Sequence, residues 1–236
     1  MKKTTFFALL SCLFINALYS QNLLVNGDFE SGGNGVGFSI NGAGYNQIVA
    51  PFSGTSFPGN YAFTNNPQPI NTTFFIAGGD HTTGTGNMMV VDGNTTGGNQ
   101  RFWRAGNTGG GVCSLTVGAT YNFSYWIKSV STDVVGPANQ AVIAVNFTNA
   151  NNIILVSGLA VAPLPAAGWQ KVTYSFTPTS PCVNIELSNS NVNPVGNDFA
   201  VDDFLVTPTA PLSATYSVQN SSCPDLNDAP ITVDAS

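Results

Sequence analysis

The stretch Asn197-Asp198-Phe199-Ala200-Val201-Asp202-Asp203-Phe204-Leu205-Val206 constrains the fold more than any other part of the chain. Its β-branched and aromatic content is that of a strand, yet two adjacent carboxylates interrupt the apolar run. By period-two alternation Phe199 and Val201 share a face, and Asp203 would fall on that same face. Phe204 and Val206 are then out of step with Val201. Either the strand is buried on both sides, or a β-bulge sits at the Asp pair. Both solutions put at least one carboxylate at the boundary of a core. Such a carboxylate needs a cation, an arginine or backbone donors, because burying it unpaired is too costly to sustain.

Cations are scarce. Residues 1–20 have the pattern of a secretory signal: Lys2 and Lys3, the apolar run Phe6–Ile15, and the small Ser20 before the cut. That run is too short to cross a bilayer, so no membrane span is expected. Leu9-Leu10-Ser11-Cys12 faintly resembles a lipoprotein signal, but Leu13, Phe14 and Ile15 carry the apolar run past the cysteine. Beyond residue 20 the basic residues are Arg101, Arg104, Lys128 and Lys171, against twelve acids, a formal charge of 4 − 12 = −8. Ca²⁺ is therefore a candidate partner for the strand's acids. The same scarcity excludes a nucleic-acid surface. Few charges with many Asn, Thr and aromatic residues suit an extracellular surface that meets neutral polar ligands such as glycans. A secreted β domain without any ligand satisfies the same composition.

The rest of the chain has the marks of strands and turns, with 25 Gly and 14 Pro and no amphipathic helix after residue 20. Asn22–Glu30 is expected to be a short strand entering an Asn26-Gly27 turn, and residues 31–44 a Gly-rich loop. Short strands are expected at 45–49, 61–63, 72–76, 87–92, 100–103 and 112–117, with 78–83 a loop. The alternation is cleaner afterwards. Tyr121, Phe123, Tyr125 and Ile127 form an inward row that leaves Trp126 outward. Ala141–Phe147 and Ile153–Val156 form a hairpin across Asn149–Asn152. Val172–Phe176, Val183–Leu187 and Asp198–Val206 follow. The expected fold is all-β, an antiparallel sandwich or barrel. Residues 207–211 read as a linker, and Ala214–Asn220 and Ile231–Ser236 as strands of a second unit. The 26 residues after Ala210 are too few for a core. The expected layout is a signal at 1–20, a β domain at 21–208, and at 209–236 a linker with the incomplete start of another β domain, further domains following.

Asn22–Glu30 (NLLVNGDFE), Trp169–Phe176 and Asn197–Val206 (NDFAVDDFLV) resemble the end motifs of galactose-binding-like jelly rolls, a group that includes many carbohydrate-binding modules. The likeness covers about residues 22–207. Gly79–Gly93 is similar to a version found in large secreted adhesins of gliding, Bacteroidetes-type bacteria, and Ala214–Ser236 resembles the start of a gliding-adhesin repeat. The resemblance implies a jelly-roll sandwich and a structural Ca²⁺ between the first and last strands. It would place Asp202 as a ligand, with the Asp28 carbonyl and the Glu30 carboxylate added from the first turn, and Asp203 as the alternative acid of the pair. Six to eight oxygens of this kind are what Ca²⁺ takes.

Catalytic signatures are absent: there is one His, His81, and no HExxH, GxSxG or phosphate loop. Two acids suffice for a glycosidase, but the inward acids are already claimed by the end-strand site. The protein is accordingly expected to be non-enzymatic. A sugar site needs aromatic platforms beside hydrogen bonders. Trp126, Trp103, Tyr45 and Tyr61 are the aromatic candidates, with Arg101 and Arg104 as polar partners. His81 could orient a sugar hydroxyl or simply fix its loop, and Trp169 suits a structural place capping the core. Cys113 and Cys182 are the one cysteine pair within the β domain, and a disulfide between them suits export. Three functions follow: a glycan-recognising module of a cell-surface adhesin, a spacer or protein-interaction module in such an adhesin, or a module attached to a secreted polysaccharide-degrading enzyme.

Overall fold

The computed structural model describes residues 21–33, 36–40, 44–96, 100–106, 110–209, 214–218 and 231–235. The expected export signal lies outside these residues. Residues 22–210 form one unit, and the described part of the tail belongs to another.

The larger unit is an all-β sandwich. One sheet joins β1 (Phe38–Ser39), β5 (Gln100–Ala105), β10 (Asn184–Asn189), β7 (Val142–Thr148) and β8 (Ile154–Val161), in that spatial order. The other joins β2 (Asn46–Gln47), β3 (Asn60–Thr64), β4 (Met88–Val91), β11 (Phe199–Pro208), β6 (Tyr121–Ser129) and β9 (Gln170–Phe176). Among the described residues, only the short β2–β3 pairing is parallel. In the tail, β12 (Ala214–Val218) and β13 (Ile231–Ala235) pair antiparallel.

Aromatic side chains fill the space between the sheets. Phe29, Phe38, Phe102, Trp103, Phe123, Phe147, Phe176, Phe199 and Phe204 are all buried. Each such ring removed from water contributes roughly 1.5–3 kcal/mol, offset by ordering entropy. The inward row Tyr121, Phe123, Tyr125 and Ile127 on β6 is buried, and Trp126 faces out.

β11 resolves the mismatch in its sequence with a bulge. Asp202 pairs with Trp126, but the next pair is Leu205 with Ser124, so β11 holds one more residue than β6 at this point. Asp203 takes up the extra residue at φ 52°. The bulge returns Phe204 and Val206 to the core face that Val201 occupies. Asp203 therefore leaves the face on which strict alternation would put it. The strand is also buried on its second side: Ala200 packs with Ile70, Phe75, Met88, Val90 and Val130 in a smaller apolar cluster.

The chain start departs from expectation. Residues 22–30 form turns rather than a strand, with Asn26 and Phe29 at φ 55° and 58° breaking any ladder. The segment still lies along β11, where Leu23 N–H donates to the Val206 carbonyl (3.0 Å) and Phe204 N–H to the Gly27 carbonyl (2.8 Å). Any side chain at Gly27 would collide with the Phe204 carbonyl. The first strand is instead β1, inside the expected Gly-rich loop. Residues 72–76 and 112–117 are not strands either. Each contributes one isolated bridge, Phe75 to Ser131 and Val112 to Val183. At the former the Asn71 side chain accepts from Thr73 and Phe74 N–H, which closes a turn.

Candidate binding groove

The outer face of the six-stranded sheet carries the site. β6 points Ser124, Trp126 and Lys128 outward, and β9 sets Lys171 opposite Trp126. The β11 bulge delivers two carboxylates to the same side, and the loop over residues 77–87 folds across them. His81 stacks on Trp126 with ring centroids 3.7 Å apart and planes 16° from parallel. Its Nδ1 meets the Asp203 carboxylate at 2.6 Å, and its backbone N–H donates to Asp202 at 2.9 Å. The Thr82 hydroxyl donates to the same Asp203 oxygen (2.5 Å). Lys128 donates to the Gly79 carbonyl (2.7 Å) and stands over the Trp169 ring, 4.5 Å from its centroid. Trp169 packs on the smaller apolar cluster, a structural place.

Burial governs the charges here. Asp202 is only 1% exposed. Burial pushes its pKa up to about 7, aided by the Asp203 and Asp80 charges and opposed by the His81 and Asp203 N–H groups. Burial also brings Lys128 down to about 8, against the pull of Asp202 and Asp80. For Asp80, burial acts upward, but N–H bonds from Thr83, Gly86 and Thr82 outweigh it and hold the carboxyl below its usual range.

Beside the stack lies a groove of about 480 Å³, lined among others by Asp28, Ser124, Trp126, Lys171 and Asp203. An indole edge, an ammonium, a hydroxyl and two carboxylates thus face one open space. Because its charges are of both signs, it suits a ligand that donates and accepts hydrogen bonds at many points without a net charge.

The other expected ligand contacts do not converge on it. Trp103 is 2% exposed and sits in the core, stacked with Phe38 and Phe123 and edge-on to Phe204. It turns inward beside Phe102 because the β5–β10 register shifts at Leu187/Ser188. Tyr45 and Tyr61 are core residues too. The Tyr45 hydroxyl accepts from Asn94 N–H, and the Tyr61 hydroxyl donates to Gln47. Arg101 and Arg104 lie on the other sheet and grip Glu186 at 2.9 and 3.1 Å. Lys171, Ser124 and Asp203 are groove residues that sequence reasoning did not assign to a sugar. The one available signal was the alternation that puts Ser124 and Lys128 beside Trp126.

The four acids expected around a metal are each held by protein donors. Asp28 accepts from Glu30 N–H (3.3 Å), and Glu30 from Asn87 N–H (2.6 Å). Asp202 and Asp203 are bonded as described above. Among the described residues, no three His, Cys, Asp or Glu side chains stand at metal-ligand spacing. Glu30 and Asp80 do converge: a Cβ on Gly86 would strike the Glu30 carboxylate and lie 3.2 Å from Asp80 Oδ2. The Asp80 charge also reaches Asp202. Hard oxygens of Glu30 and Asp80 therefore gather beneath the loop. Elsewhere, Cys113 and Cys182 are bonded as a disulfide.

No protein-family model matches the chain, and no curated protein sequence matches it. Its fold is similar to solved β-sandwich modules. TmCBM61 in complex with β-1,4-galactotriose matches at 13% identity and TM-score 0.47, over 80% of this chain and 99% of that one. A CBM4 structure matches at 14% identity and TM-score 0.37, over 72% and 100%. The CBM22-1–GH10 modules of a Clostridium thermocellum xylanase, complexed with xylohexaose, match at 19% identity and TM-score 0.36, over 55% of this chain but 23% of that one. The match likewise spans 22% of an α-L-arabinofuranosidase chain. Among the described residues, no helix is long and apolar enough to cross a membrane.

Proposed function

We propose that this chain is a non-catalytic module that binds neutral glycan outside the cell, and that the groove beside Trp126 is its ligand site. The observation that supports the reading is the groove's make-up: a half-buried indole, fixed by His81, beside Lys171, Ser124, Asp28 and Asp203. Sugar hydroxyls can answer the ammonium and the carboxylates together, whereas an anionic ligand would face two acids on an acidic chain. A glycan array on the full chain tests this. Neutral oligosaccharide binding that is lost in Trp126→Ala, with the melting temperature largely retained, is expected. A blank array on folded protein, or unchanged binding by that variant, contradicts it. The resemblance at residues 79–93 and 214–236 favours display within a secreted adhesin over attachment to a degrading enzyme.

The reading includes one structural Ca²⁺ beneath the 77–87 loop. Glu30, Asp80 and Asp202 would have to draw together to hold it, with carbonyls of the first turn. Bound there it would neutralise the acids and pin the chain start to β11. Metal that binds only the folded state raises stability by mass action. EDTA should lower the melting temperature, and Asp202→Asn should abolish that sensitivity. Metal-free protein that melts at the same temperature with and without added Ca²⁺ would refute it.

A further inference from the structure

A second acid pair lies at the far end of the β4–β11 seam. Val91 pairs with Phe199, so Asp92 and Asp198, one step beyond, are opposite each other across the two antiparallel strands. Both are buried, at 6% and 7% exposure. Asp198 accepts from Gly93 N–H (2.9 Å), Asp92 accepts from the Ser56 hydroxyl, and the two carboxyls interact directly with each other. Their backbones are fixed in the sheet: Asp92 N–H donates to the Asn60 carbonyl, and the Asp198 carbonyl accepts from Val130 N–H. The pair cannot move apart without opening the seam.

The groups facing the pair are acidic or neutral. A cavity of about 230 Å³ beside it is lined by Ser56, Asn71, Asp133 and the 194–196 turn, with no Lys, Arg or His among its lining residues. Tyr45 reaches both acids electrostatically, and its own hydroxyl is pushed up to about 12 by burial, so it stays neutral. The loop 189–197 contributes Asn189, Asn191, Asn193 and Asn197 and no titratable group. Asp133 is thus the one further acid in this neighbourhood and would add only repulsion.

Two buried carboxylates facing each other in register cannot both be charged in a medium of low dielectric without a cation. We propose that Asp92 and Asp198 share one proton in the folded protein at neutral pH, and that this proton makes the β4–β11 seam a pH-sensitive lock. Burial and the Asp92 charge raise Asp198 well above the carboxylate range, and burial raises Asp92. The unfolded chain releases both protons near pH 4, as ordinary Asp does. Above that point the folded state holds more protons than the unfolded state. The pair's contribution to stability is therefore greatest in acid and declines as pH rises toward the folded pair's own ionisation. Once that proton leaves, repulsion acts on the Asn60 and Val130 pairings and on the Ser56 contact.

Urea unfolding of the full chain from about pH 5 to about pH 9 tests the lock, at about a tenfold fall in the folded-to-unfolded ratio per pH unit for one proton. Asp198→Asn keeps a donor for Asp92 and removes the shared titration. It should flatten the wild-type decline by about one proton's worth, and Asp92→Asn should do the same. A decline unchanged in both variants overturns the proposal. So does a decline that Ca²⁺ removes from Asp202→Asn, in which the loop site is disabled, because that would put a cation where the proton is placed. Should neither variant fold, carboxyl ¹³C shifts of the wild type decide. One carboxyl of the pair must stay protonated well above about pH 4, and ordinary titration of both refutes the lock.

Discussion

Acids stand at two places along β11, in its middle and just before its first residue, and they are answered in opposite ways. At its middle, Asp202 and Asp203 are met by Lys128, His81 and backbone N–H groups, because the bulge turns both toward a loop that supplies donors. At its start, Asp198 faces Asp92 in register, with an acid and amides around it and no cation. Residue type is the same in both places. What differs is the backbone: a bulge aims side chains at a partner, whereas regular pairing fixes them against whatever stands opposite. The first arrangement builds a surface and the second builds a latch.

Emptying the core position that the bulge restores has the largest effect. Phe204→Ala should cost roughly 3–5 kcal/mol in urea unfolding, and a loss below about 1 kcal/mol would refute the buried place given to Phe204. Deleting Asp203 takes out the extra residue, so Phe204 and Val206 stay in phase with Val201 and cooperative unfolding should survive, while the contacts of Asp203 with His81 and Thr82 are lost. Loss of all cooperative unfolding in the deletion variant would refute the phase assigned to the bulge. Lys128→Met is the next step down. It removes a charge-assisted bond to Gly79, a ring contact and a cation that attracts Asp202, and should cost about 2 kcal/mol in urea unfolding. It should also raise the Asp202 pKa further, so that the loss grows with pH. An equal loss at every pH would mean that Lys128 acts by packing alone.

Arg101→Ala should do least. Its partner Glu186 keeps Arg104, the site is partly exposed, and such pairs contribute about 0.5 kcal/mol. Glycan binding should be unchanged, because Arg101 lies on the sheet opposite Trp126. Weakened binding in this variant would move the ligand site to the other face.

Much of the fold was legible because period-two alternation shows wherever one side of a strand meets solvent. β6 displayed its inward row and its outward Trp126 in this way. The clash of phase between Val201 and Phe204 also announced a bulge or two-sided burial, and β11 has both. Depth was not legible where local register shifts. Trp103 follows Phe102, and both are buried beside an irregular pairing with β10. Tyr45 and Tyr61 lie on a sheet edge whose inner side only the three-dimensional packing defines. The stack of His81 on Trp126 joins residues far apart in the chain, and the register that opposes Asp92 to Asp198 leaves no trace in either local sequence.

The claim that matters most is that the Trp126 face, and not the Arg101 face, receives ligand. Titrating a neutral oligosaccharide into ¹⁵N-labelled full chain tests it directly. The Trp126 indole N–H and the amides of His81, Lys171 and Asp203 should shift together, while those of Arg101 and Glu186 stay still. Shifts confined to Arg101, Glu186 and their neighbours, with Trp126 silent, would contradict it.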